Sequence, residues 1–414
     1  MALQDAHINT GDHYPEAAAA WPDGDGGTRS ATPATPGQAE AAGATAPLGN
    51  NAKSRSAFQV DLYRLQDTAR EILHWKKRLQ GCRRWRQKGA NVVELYATTA
   101  DNRWHYKKLQ QCADVWCCPL CAIAIQERRR AEMAAAIAIH RARGGDVMLL
   151  TLTNSHDVDD SLADLLDRQE KALHRMWSDR ASKSIWRDLG KVGHIKNLEG
   201  THGGNGWHPH YHVLLFVRSH LDKHERECMQ RVIAMRWLEC CQAAGLPLPS
   251  LERGARLDGY KGVGDYLAKT GQDAVKRWAL EDELAKSHTK RGRKGQRTPF
   301  DLLRDAHLGD KIAAGLFSEY ARVFKGKRQL VWSRGLKADL AVQEQSDADL
   351  LEKPDIESVF KGLLSAHQWA CIVKAGARAH VIAAGEAGGW PLVVELVEAA
   401  VIAYGDEVKR GIQE

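Results

Sequence analysis

The chain has 414 residues, 43% hydrophobic and 27% charged, a balance that excludes a wholly disordered protein and leaves room for two or three domains. Its ends are acidic (net −5 over 1–52 and −6 over 341–414), so residues 53–340 carry +18 of a total of +7, and a charge of that size points to a polyanion such as nucleic acid. No apolar run approaches the ~20 residues of a membrane span, and MALQDAHINT lacks the basic and apolar parts of a secretion signal, so a cytoplasmic chain with no membrane partner is expected.

Residues 1–52, rich in Ala, Gly, Pro and Thr, read as a disordered leader. A basic, Cys-rich segment is expected over 53–145. It opens with a helix over 57–80, where Val60, Leu62, Leu65, Ala69, Ile72 and Leu73 recur at helical spacing. VVELYATT predicts a strand, and a helix with a basic first half follows over 122–143, stopped by Gly144 and Gly145. The next module, 146–340, begins with the apolar strand VMLLTLTNS (147–155) and a long helix with Leu162, Leu165, Leu166, Leu173 and Met176 on one side. Two strands, 191–201 and 208–217, flank Gly203, Gly204, Asn205 and Gly206, a strong hairpin signal. A helix over 222–244, a short strand near 251–258, a short helix in GYKGVGDYLAKTG, a helical stretch over 301–325 and a last strand in RQLVWSRGL complete it. Residues 341–414 read as an acidic helical tail.

The sharpest signal is Glu199 followed by HPHYHVLL. A turn centred between Gly204 and Asn205 makes residue 199 face 210 and residue 197 face 212. Side chains alternate with period 2, so Glu199, His210 and His212 point to one side of the sheet, with facing Cβ atoms roughly 5 Å apart. Two imidazoles and a carboxylate so placed converge on one divalent cation and leave positions open for substrate oxygens. Further on, Tyr266 and Lys269 stand three apart and share a helical face. A phenol has an ordinary pKa near 10, and a neighbouring ammonium favours both the phenolate and the charge growing on a phosphate, so the pair suits a tyrosine nucleophile in phosphoryl transfer.

Nine cysteines, an odd number, argue for reduced thiols rather than a disulfide framework. Cys118 and Cys121 form a C-x-x-C knuckle. With Cys112 and Cys82 they are either the four thiolates of a structural Zn²⁺ site, Cys117 competing as a ligand, or a set of buried free thiols. Arg128, Arg129 and Arg130 lie on the helix after it, either against phosphates or on a solvated face. Lys290, Arg291, Arg293, Lys294 and Arg297 form the densest basic loop and are candidate DNA contacts. Trp207 and Trp332 are either base-stacking or core residues.

VMLLTLTNS, EGTHGGNGWHPHYHVLL and GDYLAK stand in the order of the three motifs of rolling-circle replication initiators, and CADVWCCPLC resembles the cysteine segment of the plasmid Rep_1 family. The resemblance covers roughly residues 80–340. It implies an α+β fold with the core of the histidine–hydrophobe–histidine (HUH) endonucleases: a central antiparallel, RRM-like sheet with helices on one face, preceded by the Cys-rich zinc-like segment. It further implies Mg²⁺ or Mn²⁺ on His210 and His212, and Tyr266 as the nucleophile with Lys269 beside it. The reaction implied is nicking at single-stranded or hairpin plasmid origin DNA, with Tyr266 joined to the 5′ phosphate, a free 3′ hydroxyl for synthesis, and host helicase and polymerase as partners. Family members often carry a glutamate four residues before the tyrosine. Here that position is Gly262, leaving Asp265 or a second nucleophile, Tyr260, for termination. An HUH transposase and a non-catalytic zinc-containing DNA-binding regulator are the competing readings.

Overall fold

The computed structural model describes residues 48–268, 295–352 and 357–410. Among them the protein is α+β, with two antiparallel sheets. The larger sheet has five strands in the order β6-β3-β5-β4-β7: β3 is Asp146–Leu152, β4 Lys191–Gly203, β5 Gly206–Val217, β6 Ala255–Asp258 and β7 Leu330–Trp332. The smaller has three, in the order β2-β1-β8: β1 is Val92–Thr98, β2 Trp104–Lys107 and β8 Ser358–Ser365.

The β4–β5 hairpin has the predicted register. Glu199 pairs with His210, Asn197 with His212 and Gly203 with Gly206, leaving Gly204 and Asn205 as the two-residue turn. Gly206 has φ +80°, and a Cβ there would lie 2.9 Å from the Asp157 carbonyl oxygen, so glycine is required. Strand β5 is central, bonded on one side to β4 and on the other to β3.

Alternation along β5 divides the core. Tyr211, Val213, Leu215 and Val217 join Met148, Leu150 and Leu152 beneath helices α1 (Leu48–Ile72), α4 (Leu162–Ser178) and α6 (Lys223–Ala243). Leu214 and Phe216 join Val147, Leu149 and Ile195 on the other face. Fully burying one such side chain contributes ~1.5–3 kcal/mol, so neither face is stable bare. The second face is covered by Met133, Ala136 and Ile137 of α3 (Pro119–Ala142), by Val263 and Tyr266 of α7 (Tyr260–Ala268) and by Leu336 and Leu340. The sheet is therefore covered on both faces rather than one, because its second face is apolar beyond the histidines.

Other elements differ from expectation by short breaks. The helix expected over 57–80 is α1 followed by a separate short helix, α2 (Lys77–Gly81), and 301–325 is two helices, Pro299–His307 and Lys311–Val323. In the second pair, Asp310 caps the new helix through Ile312 and Ala313 N–H. Residues 341–414 are not wholly helical: β8 pairs with β1 across some 260 residues, from Val92↔Ser365 to Thr98↔Ser358. The two strands, with β2, Trp369, Val381, Ile382, Val393 and Val397, form a separate apolar cluster. The helical stretch Arg378–Arg410 is long and apolar enough to pass for a membrane span by composition. It is two helices joined at Gly389, with Pro391 just beyond, and Val381 and Val393 from either side of that kink are buried in this cluster.

Candidate metal centre and tyrosine

The polar end of the second sheet face gathers Thr151, Asn197, Glu199, His210 and His212, all by strand alternation, and α7 lays Tyr266 over them. His210 Nε2 and His212 Nε2 lie 3.6 and 3.7 Å from the same oxygen, Glu199 Oε2. The two rings are perpendicular with centroids 5.0 Å apart, and the His212 ring lies 4.9 Å from that of Tyr266. Asn197 Nδ2 donates to Glu199 Oε1 at 2.8 Å and to the Tyr266 hydroxyl at 2.7 Å, while that hydroxyl donates to Glu199 Oε1 at 3.4 Å. Thr151 Oγ1 is 3.0 Å from His212 Nδ1, and the His208 carbonyl 3.2 Å from His210 Nδ1, so the outer nitrogens of both rings are held and the Nε2 atoms face inward.

The electrostatics suit a cation. Burial alone would raise the Glu199 carboxyl, but the hydrogen bond from His210 and the charge of both histidines hold it down at about 2, so it stands ionised. Burial would lower His210, and Glu199 more than offsets it, raising the imidazole. Burial, then Glu199, pushes the Tyr266 phenol well above its ordinary range, and the ring is 7% exposed. His208, next along the strand, is driven down to about 3 by burial and then by His210, and stays neutral. One carboxylate oxygen and two imidazole nitrogens, all within 4.8 Å of one another, fit a divalent ion with further positions open.

The cysteine cluster is assembled as expected. Cys82 follows α2, Cys112 follows β2, and Cys118 and Cys121 flank the start of α3. Their sulfurs lie 3.8 Å (Cys82–Cys118), 3.6 Å (Cys82–Cys121) and 3.7 Å (Cys112–Cys121) apart, close to the ~3.8 Å edge of a tetrahedron with Zn–S bonds of ~2.3 Å. All four are buried, and hydrogen bonds from Cys112, Cys118 and Cys121 push the Cys82 thiol far below its usual range. Arg83 and Ala113, each just after a cysteine of the set, hold positive φ (55° and 52°), and Cys112 N–H donates to Cys82 Sγ at 3.4 Å. Cys117 is not one of the four: its sulfur accepts from Lys76 at 3.1 Å, and burial, then Asp114, raises its thiol to about 12. The donor set fits Zn²⁺ and offers no open position.

Other expected contacts fall elsewhere. Lys269, Lys290, Arg291, Arg293 and Lys294 lie outside the described residues. Arg297 is bridged to His202 and pairs with Asp305 at 3.1 Å and Asp310 at 3.7 Å. Arg129 pairs with Glu132 and Asp347, and Arg130 with Glu127. Trp207 is a core residue whose Nε1 donates to Glu319, and Trp332 lies half-buried under Lys337. Tyr260 lies under the Arg141 guanidinium, 3.6 Å from its ring centre, rather than beside Glu199. At Gly262 a Cβ would meet the Asp258 Cβ at 2.5 Å, so no side chain fits where a glutamate was sought, and Asp265 is exposed. Asn197 and Thr151 were not singled out from sequence. The signal for Asn197 was present, because the register that aligns Glu199 with His210 puts residue 197 opposite His212.

A central antiparallel sheet presents a Glu-His-His set beneath a buried phenol, and a closed four-thiolate cluster stands beside it, two groups with the donors to hold metal. Comparison with known proteins names the family. The Rep_1 family model, described as "Replication protein", matches residues 105–246. The chain is 31% identical over 319 residues to "Protein rep" of Streptomyces lividans, covering 60% of this chain and 68% of that one. It is 30% identical over 148 residues to a "Neomycin resistance protein" of Streptomyces cyanogenus, 30% of this chain and 34% of that one. No solved structure matches. The chain belongs to the Rep_1 replication-protein family.

Proposed function

We propose that the protein starts plasmid replication in the cytoplasm by nicking one strand of origin DNA through a covalent phosphotyrosine, on a sheet of the HUH, RRM-like type. The observation that carries this reading is the Tyr266 hydroxyl, 3.4 Å from a carboxylate that also lies within 4 Å of His210 and His212. In the reaction, the Tyr266 oxygen forms a bond to the scissile phosphorus. The bond from phosphorus to the 3′ oxygen breaks, and that oxygen takes a proton to become the 3′ hydroxyl that a polymerase extends. The phenol, held above its ordinary pKa, donates to Glu199 Oε1, which orients it, and over the exchange its proton is the one that the 3′ oxygen takes up. A Mg²⁺ or Mn²⁺ ion held by Glu199, His210 and His212 would supply charge to the non-bridging phosphate oxygens. Asn197 orients phenol and carboxylate together, and Lys269 stabilises charge on the phosphate. Strand rejoining reverses the same exchange. Single-stranded or hairpin origin DNA is the substrate, with host helicase and polymerase acting on the product, and Zn²⁺ on Cys82, Cys112, Cys118 and Cys121 holds the preceding segment.

The test is incubation of the protein with an origin oligonucleotide and Mn²⁺, followed by denaturing electrophoresis. A protein–DNA adduct that disappears in Tyr266→Phe is expected. Undiminished nicking by that variant would move the nucleophile to Tyr260, and nicking without a divalent metal would remove the role given to the histidines.

A further inference from the structure

Directly behind the metal centre, on the other face of the same hairpin, lies a cavity of about 410 Å³. It is formed by Lys196 and Leu198 of β4, Tyr211 of β5, Glu170 of α4 and the loop that carries Lys325, Lys327 and Arg328 into β7. Strand alternation makes the two sites back to back: Lys196 and Leu198 flank Asn197, and Tyr211 lies between His210 and His212.

The charge in this cavity is unbalanced. Glu170 is its one carboxylate, and it pairs with Lys327 at 2.8 Å. Among the described residues Lys196, Lys325 and Arg328 make no ion pair. Lys196 is half-buried with its ammonium 5.8 Å from the Tyr211 ring centre, and burial lowers its pKa while Glu170 pulls it the other way. Tyr211, 2% exposed overall, lines the cavity from β5. Leu198 and Val331 supply apolar wall. Like charges gathered in a concave site attract an anion, and this volume is that of a small organic ligand rather than of a bare ion.

We infer that this cavity binds a nucleoside phosphate, its phosphate on Lys196, Lys325 and Arg328 and its nucleoside part against Leu198, Val331 and the Tyr211 hydroxyl. The inference does not depend on the nicking reaction. The ligand is either one nucleotide of a bound DNA strand or a free nucleotide, and both present the same chemistry.

Calorimetric titration of the full chain with dATP, with inorganic phosphate and with an unpaired (dT)12 oligonucleotide tests it. Lys196→Met and Arg328→Ala should each weaken nucleotide binding about tenfold, the usual cost of one charge-assisted contact. Lys223→Met, at an exposed position far along the chain, should leave it unchanged. Tyr211→Phe should weaken dATP but not phosphate. Binding of dATP identifies a free nucleotide, and binding of the oligonucleotide alone identifies a nucleotide within a strand; either supports the cavity when Lys196→Met weakens it. Affinities unchanged in both Lys196→Met and Arg328→Ala, an equal loss in Lys223→Met, or phosphate bound as tightly as dATP would overturn it.

Discussion

The two metal-ready clusters differ in every respect that separates a structural site from a reactive one. The cysteine set has four identical donors, all buried, with sulfur separations near those of a closed tetrahedron and no room for a fifth group. The histidine set has three mixed donors, none fully buried, with a phenol at its edge. The difference follows from where the chain places them. The cysteines come from three segments that meet only when the surrounding helices pack, so binding there is coupled to folding. The acid and the histidines come from one hairpin whose register a two-residue turn sets, so the geometry is local.

Substitutions can break or sharpen that contrast. The largest effect is expected for His210→Ala or His212→Ala, about a thousandfold or more in nicking rate, equivalent to several kcal/mol of transition-state stabilisation, with the thermal midpoint nearly unchanged. Equal losses of activity and stability would erase the distinction between the sites. Cys118→Ala, or removal of zinc by a strong chelator, should do the reverse, costing several kcal/mol of stability, read by calorimetry. Asn197→Ala removes no metal donor but frees both phenol and carboxylate, so a loss of about tenfold in the nicking rate is expected with metal affinity little changed.

A separate effect, on the fold rather than the reaction, is pH stability. His194, stacked on Trp177 with ring centres 4.2 Å apart, is lowered to about 3 by burial and then by Lys191 and Lys196. A histidine depressed on folding binds its proton more readily when unfolded. Stability should therefore be full above ~6.5 and fall by up to about 1.4 kcal/mol per unit as pH drops from there toward 3. A His194→Gln variant should flatten that slope in denaturant titrations.

What could be read from the sequence was governed by distance along the chain. The pairing of Glu199 with His210 followed from counting outward from Gly204 and Asn205, and the shared face followed from period 2. The cysteine set was legible because sulfur has few other reasons to cluster, although only the fold separates Cys117, turned toward Lys76, from its neighbours. The partnership of β1 with β8 was not legible. Nothing local in VVELYATT specifies a strand some 260 residues away, and SVFKGLLS shows no period-2 pattern of its own, because Val359, Phe360 and Leu363 are apolar yet exposed while Gly362 and Leu364 are buried. Nor could charge count alone show that Arg129, Arg130 and Arg297 are each paired with carboxylates of the same chain.

The β4–β5 hairpin works as a two-sided ruler. Inserting or deleting one residue in either arm before the turn would turn that arm over, moving Lys196 and Leu198, or Tyr211, to the side where Glu199 and the imidazoles stand. Changes of two residues would keep each side intact and only shift it along the strand. Length variation within this hairpin among working relatives should therefore come in even steps, and any odd step should be accompanied by a bulge that restores the count.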